Sequence, residues 1–159
     1  MAPPITSSTL SIVSNRGSTS AETKVKTRVF AWCSTWSSVN GAFLTEQLRT
    51  IAIDEPVRMV TDFGRRMSVS VSLDAYAAFW SQLLSETFSE WSLVIDSPID
   101  VMVGNNRAIA SFNARLQGTT HEGGRASQRQ HVQQVFKIVD GTWRLAQEQM
   151  TISPENACL

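Results

Sequence analysis

The sequence is poor in the residues that make cross-links and metal centres. It has two cysteines and two histidines in 159 residues. Cys33 and Cys158 lie at opposite ends of the chain, as His121 and His131 lie far from either, so no zinc-ligand spacing can be written. Two free thiols in a reducing compartment are expected, with a Cys33–Cys158 disulfide as the alternative. Charge of either sign is not in excess, with 14 Lys plus Arg against 14 Asp plus Glu. The basic stripe of a nucleic-acid binder is missing; Arg65-Arg66 is the longest basic run. Long apolar runs are missing too, so neither a spanning helix nor a membrane-surface segment is expected. Residues 1–20 are rich in Ser, Thr and Pro and lack the basic start and apolar block of a secretory signal. A cytoplasmic location is the expectation. No Ser-His-Asp set or phosphate-binding glycine loop stands out, and Asp62-Phe63-Gly64 is not accompanied by the other kinase motifs. Neither a cofactor nor a metal is expected.

What is present is apolar periodicity. A hydrophobic content of 42% in a chain of this length makes one domain. Its expected limits are a flexible arm over residues 1–20, a domain over 21–154 and a tail over 155–159. Val25, Val29, Trp32, Trp36 and Val39 recur at gaps of three and four, one face of a helix from Ala21 to Val39 with Ser20 as its cap. Asn40-Gly41 ends it, and a short helical piece carries Phe43, Leu44, Gln47 and Leu48. Val57–Asp62 and Arg66–Val71, joined by Phe63-Gly64, read as a strand pair, with Met67, Val69 and Val71 as the buried alternation. Ser72 caps a second long helix whose stripe includes Tyr76, Phe79, Trp80, Leu83, Leu84 and Phe88.

Four strands are expected after it. The first, from Trp91 to Val103, is interrupted by Pro98. Ala108, Ala110, Phe112, Ala114 and Leu116 alternate cleanly, and Val132, Phe136 and Ile138 form the next inward row. Asp140-Gly141 is a hairpin turn. Trp143 and Leu145 then share one parity, Met150 and Ile152 the other, which predicts a bulge near Gln147–Gln149. The expected architecture is α+β: one curved antiparallel sheet wrapped around three helices, a cone-shaped α+β barrel with a central pocket.

The stretch from Val135 to Leu145, with its Asp-Gly turn and Trp-Arg-aliphatic strand, resembles the SnoaL-like branch of the nuclear transport factor 2 superfamily. Gln147-Glu148-Gln149 sits where many members carry a His-Glu-His run. The resemblance covers roughly residues 21–154 and implies the cone fold, with ketosteroid isomerase and scytalone dehydratase as distant relatives. Asp62-Phe63-Gly64 is similar to the catalytic carboxylate and turn of ketosteroid isomerases. Trp32 falls at their oxyanion-binding tyrosine, and Gln134 at their second oxyanion donor. The resemblance also implies a homodimer.

Two acids are therefore candidate catalytic groups. Asp62 is either a general base at the pocket mouth or a turn residue that accepts backbone N–H groups. Glu148 is the second choice, turned inward by the expected bulge. Gln134 interrupts an apolar row and needs a hydrogen-bond partner, either a ligand carbonyl or a protein group. Tyr76, Trp32, Trp36, Phe79, Trp80, Phe112 and Met150 are candidate substrate-binding residues, core in the ordinary case and pocket lining in a cone. Two functions remain open. One is a cofactor-independent isomerase, dehydratase or cyclase acting by proton transfer on a small apolar carbonyl compound of polyketide or terpenoid type. The other is a non-catalytic small-molecule-binding or protein-assembly module.

Overall fold

In a computed structural model, the protein is described over residues 7–54 and 56–153, with side chains from residue 20 onward. Cys158 and the expected tail lie outside the described residues. The elements run in order as helix α1 (Ser7–Thr35), a 3₁₀ helix (Thr45–Thr50), strands β1 (Arg58–Asp62) and β2 (Met67–Ser70), helix α2 (Leu73–Thr87), then strands β3 (Phe88–Ile95), β4 (Asp100–Val103), β5 (Arg107–Thr120), β6 (Arg125–Val139) and β7 (Thr142–Ile152).

The strands form one unclosed sheet in the order β2-β1-β7-β6-β5-β3, with β4 also on β5. Strands β3 and β4 lie end to end along β5, from Phe88↔Thr120 through Ile95↔Ala114 and then Asp100↔Ser111 to Val103↔Ala108. Pro98 thus splits the expected single strand into two, giving five strands after α2. Proline has no N–H to offer the ladder. The break is patched locally: Asp96 N–H donates to the Asn113 carbonyl (2.9 Å), and Asn113 N–H donates to Ser97 Oγ (2.8 Å).

The sheet is mixed rather than wholly antiparallel, because β1 pairs with β7 in parallel, from Arg58↔Gln147 to Asp62↔Thr151. No hairpin joins these two strands, so turn logic did not constrain their direction. The β6–β7 hairpin does obey it: Asp140 (φ 50°) and Gly141 (φ 76°) both take the left-handed conformation of a tight hairpin turn.

Helix α1 starts at Ser7, well before the expected Ser20 cap. A Ser/Thr-rich composition is only mildly unfavourable in a helix and does not by itself end one. Val25, Val29 and Trp32 are buried as expected. The helix stops at Thr35, so Trp36 is buried from the turn beyond it, and Val39 is 51% exposed. Arg28 fastens α1 to its surroundings, donating from Nε to the Trp143 carbonyl (2.9 Å) and from Nη2 to the Thr50 carbonyl (2.8 Å). Under α1 the strand β5 presents Ala108, Ala110 and Ala114, all buried, which lets the helix approach the sheet closely. No helix among the described residues is long and apolar enough to cross a membrane.

Strand β2 reverses its expected parity. Met67, Val69 and Val71 are exposed (60%, 56% and 64%), and Ser70 is buried. Alternation reveals two faces without saying which one is covered, and on this four-residue edge strand the apolar face is the outer one.

A tight spot fixes the other side of the sheet. A side chain at Gly118 would meet Phe88 Cδ1 at 2.8 Å and the Glu90 carbonyl oxygen closer still, beside the irregular register of Phe88 and Glu90. Gly118→Ala is expected to cost about 1–3 kcal/mol, because backbone has to shift. Urea unfolding measures this, and an unchanged midpoint would show that β3 yields there freely.

Candidate active site

The site begins with an extra residue in β7. Val135 pairs with Gln147 and Phe136 with Leu145, so Ala146 is left over as a bulge. It falls immediately before the expected stretch. Leu145 and Ala146 are both buried, and the parity resets. Glu148, Met150 and Ile152 then face the interior, whereas Gln147 and Gln149 have the outer parity. The two glutamines that replace the histidines of the His-Glu-His run therefore have no bearing on the interior, and the acid between them is the residue that enters it.

Glu148 is 3% exposed and lies between Gln134 on β6 and Met59 on β1. The Tyr76 hydroxyl, from the first turns of α2, donates to Glu148 Oε1 (2.5 Å). Gln134 Nε2 donates to Oε2 (2.7 Å), and the Trp32 side chain of α1 supplies a third bond. Ser72 fixes where α2 starts, its Oγ accepting from the Ala75 N–H (3.1 Å), and so sets Tyr76 one turn in, on the buried face. Loss of water pushes the Glu148 carboxyl above its ordinary range; the three hydrogen bonds pull the other way and do not cancel it. Burial and the nearby carboxylate push the Tyr76 hydroxyl well up, and the buried Cys33 thiol up as well. An acid in this state gives up and takes back a proton at less extreme pH than a solvated one, with the Tyr76 O–H in line beside it.

Aromatic rings pack around this carboxylate. Trp32 stacks near Tyr76 (centroids 6.1 Å), Trp36 meets Tyr76 edge-on (5.8 Å) and Trp80 likewise (5.0 Å). Phe79 packs beside Trp80 and Phe63 at the rim. Phe112 and Met150 are buried on either side of Val132, in the register Phe112↔Val132↔Met150. Among the described residues, the indole N–H groups of Trp36 and Trp80 and Gln134 Oε1 have no hydrogen-bond partner. Grooves open on the surface instead, one of about 310 Å³ between Arg49, Pro56 and the start of α2, another on the outer sheet face along Gln147, Glu148 and Gln149.

Asp62 is not brought to this cluster. It pairs with Thr151 and Met67, which are both exposed, so it has the outer parity of the sheet. Its Oδ1 accepts the Gly64 N–H (2.8 Å), and Phe63 N–H closes the turn on the Arg66 carbonyl (2.9 Å). The turn role describes it; the general-base expectation at this position is set aside on parity. His131 also faces outward, bonded to Asn113 (2.9 Å), and His121 reaches the Ser85 carbonyl (2.6 Å). Sequence reading missed Gln128 and Gln130, fully buried on the inward row of β6. The signal was the same period of two, carried back from Val132.

No family model matches the chain, and no curated protein matches it. Solved structures do. A nuclear transport factor 2-like superfamily protein from Salmonella enterica superposes with TM-score 0.68 at 17% identity, covering 84% of this chain and 91% of that one. A hexachlorocyclohexane dehydrochlorinase, type 2, gives TM-score 0.68 at 8% identity, covering 87% and 89%. A Kribbella flavida protein gives 0.68 at 16%, covering 86% and 93%. At these identities the likeness is one of fold, and the fold is the cone of the nuclear transport factor 2-like and SnoaL-like proteins.

The electrostatics of Glu148 carry a stability signature. Its carboxyl lies above its ordinary 4.5 in the folded state, so the native protein binds this proton more tightly than the unfolded chain does. The contribution is complete below pH 4.5 and declines as pH rises towards the folded value. Glu148→Gln is expected to remove that decline, so the variant gains on wild type as pH rises. Urea unfolding of both proteins across pH 4 to 9 measures the difference; parallel curves would show that Glu148 does not titrate differently on folding.

Proposed function

We propose, for a chain with this nuclear transport factor 2-like fold, that the interior performs proton transfer on a small, apolar, carbonyl-bearing metabolite of polyketide or terpenoid type. The outcome is isomerisation, dehydration or ring closure. The observation that carries this reading is the buried Glu148 carboxylate bonded to the Tyr76 hydroxyl and the Gln134 amide.

Glu148 moves the proton to or from the carbon next to the carbonyl. Once Glu148 has taken the substrate proton, the Tyr76 O–H turns from it to the developing oxyanion, and the indole N–H groups of Trp36 and Trp80, unpartnered among the described residues, add donors close by. When Glu148 carries the proton, a turn of the Gln134 amide offers its unpartnered Oε1 as acceptor, so both protonation states can be held. The surrounding rings exclude water and give flat apolar surface to the substrate. These groups suffice for proton transfer, so the reading invokes no cofactor. The same fold serves a hexachlorocyclohexane dehydrochlorinase, which is in keeping with chemistry in the cone.

A binding or assembly module is the second reading. Its support is the closed interior, in which Trp32, Trp36, Tyr76 and Trp80 are each at most 2% exposed. A cytoplasmic location belongs to the first proposal, and the free, buried Cys33 is in keeping with it. So does a homodimer formed through the outer sheet face. There Gln133, Gln147 and Gln149 border a groove with Val60 and Val135, and the row continues through Ile109 to Met102, which is 73% exposed.

On a substrate identified by product analysis, Glu148→Gln is expected to lower turnover ~10²–10⁴-fold, the usual worth of a positioned acid–base group. Tyr76→Phe should lower kcat with less effect on KM, and Asp62→Asn should change neither. Full activity in Glu148→Gln would move the reading to the binding module. Light scattering at micromolar concentration should show a dimer, and a monomer would overturn the assembly proposal.

A further inference from the structure

The inward row of β6 reads Gln128, Gln130, Val132, Gln134, Phe136, and within it only Gln134 is bonded to Glu148. Gln128 and Gln130 are fully buried, at 0% exposure. Their amides bond each other weakly, Gln130 Nε2 to Gln128 Oε1 at 3.4 Å. Among the described residues, Gln128 Nε2 and Gln130 Oε1 have no partner. Turning both amides over does not help, because one NH₂ and one carbonyl are still left unpaired. Leaving a buried amide group unpaired costs about 1–3 kcal/mol. Their strand neighbours offer nothing: Leu116 faces Gln128, and Ala114 and Ile152 flank Gln130. The row is therefore a second polar station inside the cone, complementary to one group that both donates and accepts.

The two stations are separated by apolar surface. Val132 lies between Gln130 and Gln134, with Phe112 beside it on β5 and Met150 on β7. Gln130 and Gln134 are four residues apart on one strand, about 13 Å at ~3.3 Å per residue. Of the side chains between them, Met150 is unbranched and the one best able to yield to a guest.

We infer that Gln128 and Gln130 form a binding subsite for a hydroxyl group at the far end of an elongated substrate, whose carbonyl lies at Glu148 and whose apolar body crosses Val132, Phe112 and Met150. One hydroxyl oxygen accepts from Gln128 Nε2 while its proton goes to Gln130 Oε1. A carboxylate has no proton to give Gln130 and is disfavoured. The inference rests on the carbonyl end of the proposed function and narrows its substrate class to rigid hydroxy-ketones with the two groups at opposite ends.

The test uses two probes: a cyclohexanone bearing a para-hydroxyphenyl group opposite its carbonyl, and the phenyl analogue without the hydroxyl. Binding is followed by tryptophan fluorescence. Wild type should bind the hydroxylated probe at least ~10-fold more tightly, the equivalent of about 1.4 kcal/mol. The Gln128→Leu/Gln130→Leu double variant should bind both probes alike; if it does not fold by circular dichroism, Gln130→Met replaces it. Glu148→Gln should keep the preference for the hydroxyl. Equal binding of the two probes by wild type would overturn the subsite and leave the carbonyl reading standing, with ordered water then completing the amide pair. A preference that survives in the double variant also overturns it. Failure of both probes to bind would sink the carbonyl reading and the subsite with it.

Discussion

A single carboxylate taken out of water sets the terms for the interior. Stripping Glu148 of solvent is expensive, and the cost is offset in part because three elements deliver donors to it at once: Tyr76 from α2, Gln134 from β6 and Trp32 from α1. Each donor constrains the element that carries it. α2 has to start where Ser72 caps it, so that Tyr76 points down, and α1 has to lie close enough over the sheet for Trp32 to reach β7. The alanines of β5 and the clamp of Arg28 on the Trp143 carbonyl make that approach possible. Apolar packing alone tolerates many small rotations of a helix on a sheet. A shared polar partner tolerates few.

The same carboxylate explains why so much aromatic surface is gathered there. Rings keep water away from an acid without competing for its hydrogen bonds, and edge-to-face contacts among Trp36, Tyr76 and Trp80 lock their orientation. The chemistry and the packing are thus one arrangement, which is why Tyr76 and Trp32 look like ordinary core in a list of buried residues.

Local patterns made the buried faces legible. Gaps of three and four marked Val25, Val29 and Trp32, and strict alternation marked Ala108 to Leu116, because burial leaves a period in the chain wherever one face is covered. Gln134 was legible for the opposite reason, as a polar residue on an apolar row. Long-range facts left no local trace. Nothing near Arg58–Asp62 says that its partner is the last strand, running parallel, and so nothing there says that Asp62 faces outward. The exposed apolar row of β2 mimics a buried one, because an edge strand alternates just as a central strand does. The convergence of Tyr76, Gln134 and Glu148 depended on the exact position of one bulge, and the sequence showed a change of parity without showing which residue absorbs it.

That bulge has an evolutionary side. Ala146 is a small residue with no partner on β6. Lose its codon, and the ladder closes in perfect register, with Gln147 still opposite Val135 and Glu148 still opposite Gln134. The interior keeps its acid. What would turn Glu148 out is the opposite event, a strand that retains Ala146 and pairs it, which carries Gln147 and Gln149 inward. Descendants of this scaffold can therefore differ in the length of the last strand and still hold the same interior.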